Sequence, residues 1–111
     1  MIYNMIIKIY QDQRGQEPFK KWIKSLRDKK IIARIYKRLK IVSFGSLGDY
    51  RALGNGLFEL RLHFGAGYRI YYGQISREII LLLAGGTKAI QSKDIKKAKL
   101  YWQDYKNYGK S

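Results

Sequence analysis

Between Phe58 and Phe64 apolar and polar residues alternate without a break. A strand sends successive side chains to opposite faces, so Phe58, Leu60, Leu62 and Phe64 share one face and Glu59, Arg61 and His63 the other. Gly65-Ala66-Gly67 predicts a tight reversal, because glycine takes positive φ without steric cost. Tyr68 to Gln74 then returns as a second strand, with Arg69 and Tyr71 alternating against Tyr68, Ile70 and Tyr72. The following run, Ile79 to Ala84, is apolar at every position. That is the pattern of a strand covered on both sides, and it places the centre of the sheet there. Gly85-Gly86 allows a close approach of backbone to something else.

Other periods flank this core. Met1 to Tyr10 reads as a first strand, with apolar surface from Ile2, Ile6 and Ile7 and a solvated Lys8, and Gln11 to Gln16 as a loop. Glu17-Pro18 opens a helix, since proline is tolerated where the backbone N–H lacks a partner. Phe19, Trp22, Ile23 and Leu26 form its stripe. Asp28 caps a second helix reaching about Ser43, with Ile31, Ile32, Ile35, Tyr36, Leu39 and Val42 inward and Arg34, Lys37, Arg38 and Lys40 outward. The two helices are expected as a hairpin over one sheet face. Phe44 to Asp49 breaks the second helix, and Tyr50 to Leu53 leads as a short extended piece into the turn Gly54-Asn55-Gly56. Ser92 is the expected cap of a last helix, whose inner stripe is Ile95, Ala98, Trp102 and Tyr105 and whose tail frays from Asn107.

At 111 residues the chain forms a single domain, residues 1–111, able to bury roughly two-thirds of its unfolded surface. It has no cysteine and one histidine, which disfavours a disulfide framework and a thiolate or histidine zinc site and suits a cytoplasmic setting. No targeting segment or membrane span is read from the first residues. Charge changes the picture most: 23 Lys and Arg against 8 Asp and Glu give a formal charge of +15. Self-repulsion of that size opposes compaction, so an anionic partner is expected: nucleic acid or an acidic protein, with an anionic membrane surface last.

The candidate chemistry lies on the polar face of the strands. Arg61 and Arg69 occupy corresponding depths on neighbouring strands, and Lys88 arrives just after the third. Guanidinium forks suit phosphate oxygens, and preplaced donors stabilise the charge that grows as a ribose 2′-hydroxyl attacks an RNA phosphate. Glu59, His63 and Tyr71 are the candidates for a base or an orienting group. The plainer alternative is a cross-strand pair of Glu59 with Arg61 or Arg69, ordinarily worth under about 1 kcal/mol at a surface. No carboxylate cluster suits Mg²⁺ or Ca²⁺, so cleavage is expected to need neither metal nor cofactor.

The succession F-K-K-W (19–22), G-S-L-G-D (45–49), L-F-E-L-R (57–61), G-Y-R-I-Y-Y (67–72), L-L-L-A-G-G-T-K (81–88) and Q-S-K-D-I (91–95) resembles the RelE/ParE superfamily of type II toxin–antitoxin toxins. The resemblance spans nearly the whole chain and is nearest the phage-like addiction-module killer proteins of the HigB branch. It implies a compact α+β, RelE-like domain, with two N-terminal helices packed on a largely antiparallel sheet and a C-terminal helix. It implies a toxin that inhibits translation as a ribosome-dependent, metal-independent mRNA endonuclease, silenced by a cognate helix-turn-helix antitoxin in a hetero-oligomer. Arg61, Arg69 and Lys88 would then hold the scissile phosphate, with Lys88 a proton donor to the leaving oxygen. Glu59, Tyr71 and Gln91 would position the nucleotide or the other side chains, and Arg34, Lys37 and Arg38 would contact ribosomal RNA. Two alternatives stay open: a ParE-like gyrase poison acting by protein contact, and a non-catalytic basic RNA-binding module.

Overall fold

The computed structural model describes residues 4–109; Ile2 of the first expected strand and the last two residues of the tail lie outside them. The alternating segments form strands β3 (Leu57–Leu62) and β4 (Tyr68–Gln74), paired antiparallel so that Glu59 lies opposite Tyr71 and Arg61 opposite Arg69. Three more strands complete the sheet: β1 (Ile6–Ile9), β2 (Tyr50–Gly54) and β5 (Ile79–Thr87). The order is β1-β5-β4-β3-β2, mixed, with β1 parallel to β5 and every other pair antiparallel. The central strand is therefore β4 and not β5. An apolar run marks cover on both faces, which a strand second from the edge also has.

Helices α1 (Pro18–Ser25) and α2 (Lys29–Ser43) and the long α3 (Gln91–Tyr108) make the architecture compact α+β. Phe19 and Ile23 of α1 and Ile35, Leu39 and Val42 of α2 share one core with Leu60, Leu62, Ile70, Tyr72, Ile80 and Leu82. On the opposite face Ala98 and Trp102 of α3 pack with Tyr10, Leu57, Tyr71, Leu81, Leu83 and Ala84. Leu83 and Ala84 face the same way because β5 carries one extra residue: Tyr71 pairs with Ala84 but Tyr72 with Leu82. Among the described residues no helix is long and apolar enough to cross a membrane.

The paired glycines at the end of β5 admit a helix from each side. A Cβ on Gly85 would stand 2.1 Å from the Trp22 ring of α1, and one on Gly86 1.8 Å from Asp94 Oδ2 of α3. Asp28 caps α2 as expected, its carboxylate accepting from the Lys30 amide at 2.9 Å. Ser92 does not cap α3. A single 3-10 turn, Lys88–Ile90, runs directly into the helix at Gln91, so Ser92 falls inside the first turn. Helix α3 also persists through Tyr108, past the point where fraying was expected. Two expected core positions are solvated: Ile6 is 52% and Tyr36 48% exposed. Ile7 and Ile9 are the β1 residues that meet the core, and Ile35 takes the inward direction on α2 that its neighbour Tyr36 cannot share.

Candidate phosphate-binding site

Helix α3 covers only part of its sheet face. At the far end of β3 and β4 the alternation that buries Leu57 and Tyr71 continues with Arg61 and Arg69, and there the cover stops. The result is a groove of about 650 Å³ lined by Arg61, His63, the 65–67 turn, Arg69, Lys88 and Gln91. The register puts Arg61 directly across from Arg69. Lys88 is tied to the same place by its own backbone, its N–H donating to the Gly67 carbonyl at 2.9 Å. Gly67, at φ +74°, lies between the two cations: a Cβ there would stand 3.3 Å from Lys88 Cβ and 3.8 Å from an Arg69 guanidinium nitrogen. Two residues 19 positions apart in sequence thus flank one turn.

The cations are held unequally. Glu59 is fully buried, and Arg61 Nε donates to its Oε1 at 3.0 Å while Gln91 Nε2 donates to its Oε2 at 2.6 Å. Arg51 of β2 adds an ion contact at 3.7 Å. With both oxygens engaged away from solvent, Glu59 is an anchor for Arg61 and Gln91, a role that suits it better than proton abstraction. Arg69 is also buried but donates only to the Tyr68 carbonyl, at 3.2 Å, and its Nε has no partner. Lys88 is exposed. A buried guanidinium with an unpaired donor beside a second guanidinium is unfavourable until an anion arrives.

Tyr71 lies deeper than the groove, in the core beneath α3, and its hydroxyl has no partner. Burial, with Glu59 and Asp94 nearby, pushes its ionisation well above the ordinary tyrosine range. It shapes the floor and does not line the groove. Asp94 is buried with an unpartnered Oδ2, and burial raises its pKa. His63 sits on the rim, its Nε2 joined to Asp49 Oδ2; that hydrogen bond holds the Asp49 carboxyl below its usual range.

Arg34, Lys37 and Arg38 do not enter this groove. They line an adjoining one of about 560 Å³ between α2 and β3, which shares Arg61, His63 and Phe64 with the first. Sequence reading brought Arg61, Arg69, Lys88, His63 and Gln91 to one place. It missed Arg51 and Asp49, whose contacts to Glu59 and His63 join strand edge to strand face, and Phe64, over which Arg34 places its guanidinium 3.9 Å from the ring centroid. Among the described residues no group of three or more His, Cys, Asp or Glu side chains is placed to hold a metal ion.

No protein-family model matches the chain. Over 86 residues it is 41% identical to an uncharacterized protein of Haemophilus influenzae, an alignment that takes in 78% of this chain and 87% of the relative. The chain belongs to the same protein family as that Haemophilus influenzae protein.

Proposed function

We propose that the protein is a RelE-like toxin of a type II toxin–antitoxin system, of the HigB branch, that cleaves mRNA on the ribosome. The observation that carries this reading is the convergence of Arg61, Arg69 and Lys88 on one open groove, with Arg69 buried and incompletely bonded. Such a cradle is arranged for a phosphodiester whose charge grows during reaction. The 2′-hydroxyl gives its proton to solvent water as its oxygen attacks phosphorus, the bond to the 5′-oxygen breaks to leave a 2′,3′-cyclic phosphate, and Lys88 at the rim gives the departing 5′-oxygen its proton. Arg61 and Arg69 hold the non-bridging oxygens. Glu59 and Gln91 set the angle of Arg61, and His63 with Arg34, Lys37 and Arg38 extends the RNA-binding surface. The reaction asks for no metal, and the setting is the bacterial cytoplasm. A helix-turn-helix antitoxin with an acidic segment, complementary to the +15 charge, would silence the toxin by covering the groove or by adding bulk.

Controlled expression of wild type and of an Arg61→Ala/Arg69→Ala variant, with primer extension on translated messages, tests the proposal. Wild type should arrest growth and create new translation-dependent 5′ ends, and the variant should do neither. Arrest without new ends, or arrest that survives the double substitution, would overturn it and favour action by protein contact.

A further inference from the structure

The groove between α2 and β3 is a second cavity with a different chemistry. Ile41, Leu62 and Phe64 give it an apolar floor, while Arg34, Lys37 and Arg38 ring it with positive charge. Its one acidic wall residue, Asp49, is engaged by His63. Arg34 holds its guanidinium carbon 3.9 Å from the Phe64 ring centroid, a cation backed by an aromatic ring. Arg38 is half-buried against Gly48, where a Cβ would come within 2.6 Å of its guanidinium. It reaches the Asp49 carbonyl at 3.4 Å, and burial lowers its pKa. At about 560 Å³ the cavity is of the size that admits a small-molecule ligand or one nucleotide. An apolar floor takes the base, a guanidinium plane stacks on it, and the cationic rim takes its phosphate.

The two grooves meet along Arg61, His63 and Phe64. Resting on the endonuclease reading above, we infer that the α2–β3 groove is a nucleotide subsite for single-stranded RNA, receiving the message nucleotide next to the one whose phosphate lies in the Arg61/Arg69/Lys88 cradle. Arg61 then stands between two consecutive phosphates, and the strand runs from Lys88 across His63 toward Lys37. The RNA recognised by the α2 basic residues is the substrate strand itself.

Two non-cleavable probes separate this inference from the reading beneath it: a 2′-O-methyl uridine dinucleotide with one phosphate, and the corresponding pentanucleotide, each titrated into the ¹⁵N-labelled full chain. The dinucleotide should shift the amides of Gly67, Arg69 and Lys88. The pentanucleotide should also shift Ile41 and Gly48. Ile41→Glu should weaken the pentanucleotide about tenfold or more and the dinucleotide less than about twofold, while Leu100→Glu, the same charge change on the exposed face of α3, should leave both alike. A pentanucleotide that leaves Ile41 and Gly48 unmoved, or an Ile41→Glu variant no different from Leu100→Glu, overturns the subsite and spares the cradle. If neither probe moves Gly67 and Lys88, the cradle fails and the subsite with it.

Discussion

The two faces of the sheet are built from alternate residues of the same strands and have opposite endings. On the α1/α2 face the strand residues stay apolar along their length, from Phe58 through Leu60 to Leu62, and Phe19 and Ile35 meet them completely buried. On the α3 face the sequence Leu57, Glu59, Arg61 passes from core to anchor to half-buried rim within five residues. Helix α3 closes its face by packing Ala98 and Trp102 on Leu81 and Leu83, and Arg69, Tyr71 and Asp94 are left with polar atoms lacking partners. Among the described residues the α1/α2 face has a single buried side-chain polar atom without a partner, the Tyr72 hydroxyl, whereas the α3 face has three, of which the Arg69 Nε belongs to a side chain that lines the groove.

That contrast predicts opposite responses to substitution. Phe19→Ala removes a fully buried ring from the stable face and should cost about 3–5 kcal/mol in urea denaturation. Gly86→Ala should cost about 1–3 kcal/mol, because its methyl group would occupy the position of Asp94 Oδ2. The double variant Gly86→Ala/Asp94→Ala should recover part of that loss, since the two changes act at one contact. Arg69→Met should do the reverse of a core mutation: removing a buried, incompletely bonded charge should raise stability by about 1 kcal/mol while reducing cleavage about 10²–10³-fold. A lower melting temperature for this variant would erase the distinction between the faces.

The smallest effect is one of pH. Burial raises the Asp94 pKa in the folded protein above its ordinary value of 3.8, so the native state binds more protons than the unfolded chain in the interval above it. Stability is then lost as pH rises from that value through the folded pKa, and Asp94→Asn should flatten this slope. Asp49, whose folded pKa is lowered by His63, contributes in the opposite sense: its stabilisation is present above its ordinary value and lost as pH falls. Urea titrations of the two Asn variants across acid pH would separate the slopes.

What was legible in the chain was whatever a local period encodes. The two-residue alternation of Phe58–Phe64 and Tyr68–Gln74 fixes which side chains share the Arg61 face, and the intervening turn sets Arg61 against Arg69. The stripe of α1 and the Asp28 cap are equally local. What was not legible came from distant partners. Gln91 meets Glu59 across 32 positions, and nothing near Gly86 announces that Asp94 will occupy its missing side chain. An unbroken apolar run has no phase, so neither the extra residue at Leu83 nor the second-from-edge position of β5 could be read from it. Ser92 satisfied the rule for a cap, but the preceding 3-10 turn started the helix two residues earlier.

The most direct test pairs two readings on the same purified Arg69→Met protein: its melting temperature, and its cleavage of a message bound to ribosomes. The prediction is a melting temperature equal to or above that of wild type, with cleavage reduced about 10²–10³-fold. A variant that melts lower and still cuts would contradict the claim that this end of the sheet is kept for a phosphate and not for the fold.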